Sequence, residues 1–504
     1  MIFATSSLKI ARVSARDPRG HRERAGGKMA AQVRHKTLLK LQRMEMSLVR
    51  AWLAHPGLMP ERDLHRLRYI LGFARLHRFA PGAALRGPRR ADIDVDPAIV
   101  EPFRELVLRA LYRPLQKEDS LRERLAQSAA VLGPLHAALV DARPRLLAQH
   151  RTDFSEAELD AEAGRKALVT IAGGGGGAGF VYIGAAARLR AEGITSDYLV
   201  GSSIGALIGA FLARSRTLDI DALMAWGKAL SLRSIFGRPH IGPTHTLPGL
   251  MRLHLRAMHK VMQHPDGSAL RMSDLEIPFE AVVGGIRKRV YDHLPATARN
   301  IVSRERTHAR FSKLLAERML LLGTFVNPNV VRPLILGRDV ATRGLRVVDA
   351  VGLSAAIPAV LQYEPPARDA QSDAILAKLR EDHEVALFVD GGVAANVPAR
   401  IAWEGVDAGR IGTRNAFYLA LDCFHPQFEP AHLWLWPVTQ MVQLQLPAQR
   451  PYFDWLMRFE PTLSPMNLLP PPADFDQAFQ WGWAQADTMI PFFKKAFEPV
   501  GWNP

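Results

Sequence analysis

Apolar residues between positions 36 and 150 recur every three or four residues, or at multiples of that interval. The clearest series is formed by Leu38, Leu41, Leu48 and Trp52. Such spacing places apolar side chains on one face of a helix, whereas strict alternation would indicate a strand. We therefore predict a helical N-terminal domain over residues 36–164, whose apolar residues serve core packing.

The pattern changes at Arg165, where short apolar runs replace the helical spacing. Residues 166–172 form an apolar run that leads into the glycines of 173–179 and then into a helical stretch from Phe180 to Glu192. A strand, a glycine loop and a helix in this order are typical of one unit of a parallel α/β sheet.

A second unit of the same kind follows. Tyr198–Val200 is a short apolar run, and it is succeeded by Gly201–Gly205 and another helical stretch. Further strands are predicted at residues 279–283, 386–389 and 416–421. Residues 165–425 are therefore assigned to an α/β domain with a parallel-sheet core and helices on both faces.

Composition marks three further segments. Residues 1–35 are basic and lack an apolar run, so they are predicted to be a disordered tail, with Met29 as an alternative start to Met1. Residues 237–346 form a basic region, which is predicted to cap the α/β domain. Residues 426–504 hold six of the nine tryptophans, either in a core or at a bilayer interface.

Charge and cysteine content limit the environment. The formal net charge of +16 favours polyanionic partners and carries no information about fold. The single cysteine, Cys423, excludes an intrachain disulfide and fits a reducing compartment. Neither a membrane span nor a secretory signal is recognised. We expect a cytoplasmic protein that associates peripherally with a membrane.

The first candidate for chemistry is Gly201-Ser202-Ser203-Ile204-Gly205, at the junction of a predicted strand and a predicted helix. Small flanking residues permit the strained turn that lifts a serine hydroxyl out of a sheet. The following helix N-terminus adds N–H groups that favour developing negative charge. Ser203 is therefore a candidate nucleophile.

The second candidate is the run of glycines from Gly173 to Gly177, with Gly179 after Ala178. Consecutive residues without Cβ allow backbone amides to converge on an anion, as an oxyanion hole requires. A dinucleotide-binding loop would need an acidic residue at the end of the next strand, which instead ends in the serine turn. A phosphate-binding P-loop is excluded because Phe180 stands where lysine is required.

The third candidate is Asp390, which follows the apolar run Leu387-Phe-Val and precedes Gly391-Gly392. An aspartate that leaves a buried strand into two glycines suits a carboxylate presented at the C-terminal edge of a sheet. Taken alone, Asp-Gly is also a common signal for a surface turn.

Together these features resemble the patatin-like phospholipase family. The resemblance covers about Lys166 to Cys423 and rests on four matches in the family's order. These are the glycine-rich loop, the Gly-x-Ser-x-Gly turn, Ser354-Ala-Ala-Ile-Pro358 after Asp349-Ala-Val, and Asp390-Gly-Gly-Val-Ala-Ala-Asn396-Val-Pro398. It implies a patatin-like α/β fold and lipid acyl ester hydrolysis, with a phospholipid or other lipid ester as substrate.

The resemblance also implies a mechanism. Ser203 Oγ would attack the ester carbonyl, Asp390 would accept its proton directly, and water would cleave the resulting acyl-enzyme. The oxyanion hole is assigned to backbone amides of Gly174, Gly175, Gly176 and Gly177. The two turns are assigned support from Gly201, Gly205, Gly391 and Gly392. Asn396 and Pro398 are expected to shape the loop after Asp390. Ala178 replaces the family's usual basic residue, which puts rate or substrate preference in doubt.

Three alternatives stay open. An ordinary α/β-hydrolase triad would add His425 to Ser203 and Asp390. A non-catalytic basic protein would use arginines such as those of Arg304–Lys313 to bind a membrane or nucleic acid, although no nucleic-acid module is recognised. Acyl transfer to an acceptor other than water shares the same acyl-enzyme.

No cofactor or metal is expected, an anionic membrane surface is the expected partner, and no oligomeric state is predicted.

Overall fold

The computed structural model describes residues 18–239, 244–293, 325, 327–427 and 436–502. The basic stretch from Arg304 to Lys313 lies outside these residues, as do residues 1–17 of the predicted tail. Residues 18–35, which were assigned to that tail, lie in the first helix. No helix in the described ranges combines the length and apolar character needed to cross a bilayer.

The N-terminal region is helical, as predicted. Its helices are α1 (Pro18–Ala54), α2 (Glu61–Arg75), α3 (Pro97–Gln116), α4 (Leu121–Ala130), α5 (Leu132–Gln149) and α6 (Glu156–Gly164), with a small hairpin of β1 (Arg78–Phe79) and β2 (Ile93–Asp94). Side-chain caps define where several begin: Asp96 accepts from the Ala98 amide, and Ser155 forms a capping box with Glu158. These helices enclose an apolar core of their own.

The remaining strands build a seven-stranded sheet and a three-stranded one. They are β3 (Ala167–Ala172), β4 (Tyr198–Ser202), β5 (Phe236–Gly237), β6 (Gly249–Leu253), β7 (Phe279–Arg287), β8 (Val331–Leu336), β9 (Ala359–Tyr363), β10 (Val385–Val389), β11 (Ala416–Asp422) and β12 (Trp455–Arg458). The large sheet has the order β10-β7-β4-β3-β11-β12, with β8 also paired to β7. The small sheet has the order β5-β6-β9.

The centre of the large sheet is parallel, and one side of it is not. Strands β7, β4, β3, β11 and β12 run in the same direction, which confirms the predicted parallel core. Strands β8 and β10 both run antiparallel to β7. A short apolar run has the same appearance in either direction, so the sequence pattern does not distinguish a parallel strand from an antiparallel one.

Helices cover both faces of this sheet. The helices that follow α6 are α7 (Val181–Ala191), α8 (Ile204–Arg214), α9 (Ile220–Lys228), α10 (Leu232–Ile235), α11 (Arg256–Val261), α12 (Lys288–Tyr291), α13 (Val340–Arg343), α14 (Val347–Ser354), α15 (Ala370–Asp382), α16 (Gly391–Ala395), α17 (Ala399–Asp407), α18 (Trp436–Gln443), α19 (Leu446–Gln449), α20 (Pro472–Asp487) and α21 (Ile490–Phe497). One face packs mainly on α7, α8 and α20, and the other on α1 and α17.

Two segments predicted from composition are parts of the core fold. Residues 279–287 and 331–336 of the predicted cap are β7 and β8, so the cap does not extend over all of residues 237–346. The basic residues that suggested a cap lie at the ends of these two strands or between them in the sequence. The C-terminal segment adds β12 to the sheet, and Trp455 packs on Phe492 with ring centroids 4.7 Å apart. Trp436 is 43% exposed, and Trp434 lies outside the described residues.

A buried ion cluster joins the helical region to the sheet. Glu45 of α1 lies 2.6 Å from Lys166 Nζ, 3.4 Å from Arg68 Nε and 3.8 Å from Arg75 Nη1. Burial alone would raise the pKa of Glu45, but the charges of Lys166, Arg68 and Arg75 bring it below its ordinary value. Because Lys166 directly precedes β3, this cluster anchors α1 and α2 beside the first strand of the sheet.

Replacing Glu45 by glutamine is expected to destabilise the protein by about 3–5 kcal/mol, because three buried cations lose their common carboxylate. Glu404→Gln is a matched control, since Glu404 forms a surface pair with Arg400 and such pairs contribute about 0–1 kcal/mol. Chemical denaturation of both variants measures the difference in the free energy of unfolding. Equal small losses in the two variants would show that the Glu45 cluster does not stabilise the fold.

Candidate active site

Ser203 lies in a strained turn between β4 and α8. Its backbone has φ +54° and ψ −125°, in the region that residues with a Cβ rarely adopt. The turn is tight on both sides: a Cβ at Gly201 would lie 2.5 Å from the Gly205 carbonyl oxygen, and one at Gly205 would lie 2.2 Å from the Ala172 carbonyl oxygen. Close backbone approach therefore leaves no room for a Cβ at Gly201 or Gly205. Ser203 is buried, with 5% of its surface exposed.

The strand register brings Asp390 to this turn. Strand β4 pairs with residues 279–282 of β7, and β10 pairs with residues 284–287. Since β8 occupies the other edge of β7 over residues 281–286, β4 and β10 share one edge. The two strands run toward each other, so their C-terminal ends meet near Val283 and bring Ser203 and Asp390 together.

Asp390 is a buried carboxylate with one oxygen anchored. Its Oδ1 accepts from the Gly392 amide at 2.7 Å, and its Oδ2 has no hydrogen-bond partner among the described residues. Burial raises the pKa of Asp390 to about 6, while the Ser203 hydroxyl and the Gly392 amide act to lower it. Gly391 also permits close approach, because a Cβ there would lie 2.0 Å from the Val282 carbonyl oxygen.

One short segment holds the backbones of both residues. Ser354 Oγ accepts from the Ser203 amide at 2.9 Å and donates to the Val282 carbonyl at 2.6 Å. The Asp390 amide donates to the Ala356 carbonyl at 2.8 Å. The segment Ser354–Ala356 therefore contacts both ends of the candidate dyad. The Ser354 motif supported the family resemblance, but no local sequence signal assigned this role to it.

The glycine loop lies against Ser203. A Cβ at Gly174 would lie 3.1 Å from Ser203 Cβ, so the loop could not approach with a larger residue. The amides of Gly174 and Gly177 donate to the carbonyls of Asn396 and Pro465. Gly175 and Gly176 thus remain as the candidate oxyanion donors. Ala178, at the position that is usually basic, is fully buried.

Asn396 connects the glycine loop to the segment after Asp390. Its backbone carbonyl accepts a hydrogen bond from the Gly174 amide at 3.2 Å, and its backbone amide donates to Gln445 Oε1 at 2.8 Å. Gln445 in turn donates to the Val393 carbonyl at 3.1 Å. These contacts join the segment after Asp390 to the glycine loop and to Gln445, while the shaping role of Asn396 stays a prediction. Pro398 directly precedes helix α17.

An apolar pocket opens beside the serine. It is lined by Ser203, by Gly176 of the glycine loop and by apolar side chains that include Phe180, Leu207 and Trp226. Ala355 and Ile357, on either side of Ala356, also line it. A pocket of this character accepts a hydrocarbon chain in contact with the nucleophile.

His425 is not directed at the candidate dyad. Its Nε2 lies 3.1 Å from the Phe459 carbonyl oxygen and its Nδ1 lies 3.3 Å from the Pro426 carbonyl oxygen. Both ring nitrogens thus face backbone carbonyls, whereas a triad requires one at the serine and the other at the carboxylate.

Comparison with known proteins yields one family match. The family model of the patatin-like phospholipases matches residues 170–403, which include the glycine loop, the Ser203 turn, the Ser354 segment and Asp390. No curated protein matches the chain. The chain therefore contains a patatin-like phospholipase domain, which spans residues 170–403.

Proposed function

We propose that this chain cleaves carboxylic ester bonds of lipids through a dyad of Ser203 and Asp390 and an acyl-enzyme intermediate. The patatin-like domain supports lipid acyl hydrolysis in general. The observation that carries the finer proposal is the unpartnered Oδ2 of Asp390, on a buried carboxylate next to the Ser203 hydroxyl.

The reaction begins when Ser203 Oγ attacks the ester carbonyl and its proton passes to Asp390 Oδ2. Oδ1 keeps its hydrogen bond to Gly392, so the carboxylate is held while it accepts the proton. The amides of Gly175 and Gly176 stabilise the negative charge on the carbonyl oxygen. The alkoxide leaving group takes the proton from Asp390 as the C–O bond breaks.

Deacylation reverses these roles with water. Asp390 accepts a proton from water as the water oxygen attacks the acyl carbon, and the proton then returns to Ser203 Oγ as the acid leaves. During this step the acyl chain occupies the apolar pocket beside Ser203. The raised pKa of Asp390 brings the base nearer to neutral pH, which makes proton transfer from a hydroxyl more favourable.

Ser203→Ala and Asp390→Asn are each expected to lower ester hydrolysis by about 10³-fold or more, because each removes a participant in the proton transfer. Ser203→Ala should also abolish labelling by a fluorophosphonate probe. His425→Ala is the control and should retain activity within a few-fold, since His425 contacts backbone carbonyls. Activity in Asp390→Asn together with loss in His425→Ala would instead establish a triad.

The rate of hydrolysis is expected to rise with pH through the pKa of Asp390, about 6, and then to level off. The sign follows from the role of the base: only the ionised carboxylate accepts the proton, and protonation below that pKa removes it. The kcat/KM of wild type for a soluble short-chain ester, measured across this range, checks the expectation. A rate that stays constant well below pH 6 would exclude Asp390 as the base.

Ser354→Ala is expected to lower kcat by about 10–100-fold with little change in KM, because the turn that carries Ser203 loses its hydrogen bond to β7. Ser372→Ala is a matched control. Its hydroxyl is also buried, but it donates to Asp369, away from the site. Equal kcat losses in the two variants would reduce Ser354 to a general contribution to stability.

A further inference from the structure

One segment without carboxylates contributes nine of the twenty-three residues that line the apolar pocket. Between Asp221 and Asp266 the chain contains no aspartate or glutamate. The described parts of this segment contribute residues of α9, α10, β5, β6, α11 and the connections between them to the pocket. They are Leu223, Trp226, Gly227, Leu230, Ile235, Phe236, Leu253, Leu255 and Met258. The lining side chains are apolar, and the charged residues of the same segment are interspersed with them in the sequence.

These charges are cations that lack carboxylate partners. Among the described residues, no ion pair is formed by Arg233, Arg238, Arg252, Arg256 or Lys260. The sixth cation of the segment, Lys228, pairs with Asp476 of α20 at 3.1 Å. Cations elsewhere are commonly paired; Arg188, for example, contacts both Glu192 and Asp487.

The same surface exposes an aliphatic side chain. Leu232, at the start of α10, is 65% exposed and stands directly before Arg233. Leu230 and Ile235, on either side of it, line the pocket. An exposed apolar residue among cations at the wall of an apolar pocket fits the boundary between lipid headgroups and acyl chains.

We propose that residues 222–239 and 244–265 form a docking surface for an anionic phospholipid bilayer, with Leu232 inserted among the lipids. Acyl chains then pass from the bilayer into the pocket through the wall that this surface forms. Nucleic acid is the less suitable polyanion, because the aromatic rings of the segment, Trp226 and Phe236, line the pocket and are not presented for base stacking. The inference rests on the proposed lipid hydrolase function.

The test is sedimentation with phosphatidylcholine vesicles, with and without phosphatidylglycerol, in a Ser203→Ala background that prevents hydrolysis. Arg233→Glu with Arg256→Glu is expected to weaken binding to the anionic vesicles by roughly 25-fold or more, because each lost cation contributes about five-fold at such a surface. The matched control is Lys117→Glu with Arg122→Glu, which makes the same change in charge on exposed positions at and near α4. The Lys117→Glu, Arg122→Glu protein should bind anionic vesicles as strongly as the Ser203→Ala protein does. Added salt should weaken the binding of both to these vesicles.

Three results would overturn the docking surface: binding independent of phosphatidylglycerol, an equal loss in the control, or displacement of the vesicles by an equal charge of duplex DNA. Hydrolysis of a soluble short-chain ester separates this proposal from the enzymatic one. With Ser203 intact, the Arg233→Glu, Arg256→Glu protein should keep that activity. If the protein hydrolyses the soluble ester but does not bind anionic vesicles, the docking surface alone is refuted. If it binds the vesicles as expected but does not hydrolyse the ester, the dyad is refuted and the docking surface stays supported.

Discussion

The candidate site depends on the fact that one edge of β7 pairs with two strands in succession. Strand β4 uses residues 279–282, and β10 approaches from the opposite direction to use residues 284–287. If β7 ended together with β4, β10 would have no partner, and Asp390 would not reach the serine turn. The length of β7 therefore determines that a candidate nucleophile and a carboxylate from distant parts of the chain meet in a buried place.

Such a meeting point must be held by groups outside the two strands, because strand ends are not fixed by the sheet alone. The Ser354–Ala356 segment supplies this restraint through the Ser203 and Asp390 amides. Ala355 of this segment and the next residue along the chain, Ile357, line the pocket, so a bound acyl chain would press on the segment that positions the candidate dyad. The pocket and the proposed proton transfer are thus connected through this short backbone segment.

The same burial has an energetic consequence. Moving the pKa of Asp390 from 3.8 to about 6 means that its ionised form is disfavoured in the folded protein by roughly 3 kcal/mol. The strained backbone of Ser203 adds a further penalty of about 1–3 kcal/mol. The buried cluster of Glu45, Lys166 and Arg68 involves neither of these two residues. A site that is itself unfavourable requires a framework whose stability comes from elsewhere.

The sequence predicted those features that are local. The apolar runs of β3, β4 and β11 and the glycines around Ser203 each follow from spacing and residue type over a few positions. The direction of β10, the contact of Ser354 with Ser203 and the donation from Gly177 to Pro465 join residues far apart in the chain, and no local pattern encodes them. The pairing of charged residues is likewise not encoded by a local pattern. Composition directed attention to the arginines near 304–313, but what distinguishes a cation physically is whether a carboxylate lies beside it. That depends on three-dimensional pairing, and Arg233 and Arg256 are among the described cations that form no ion pair.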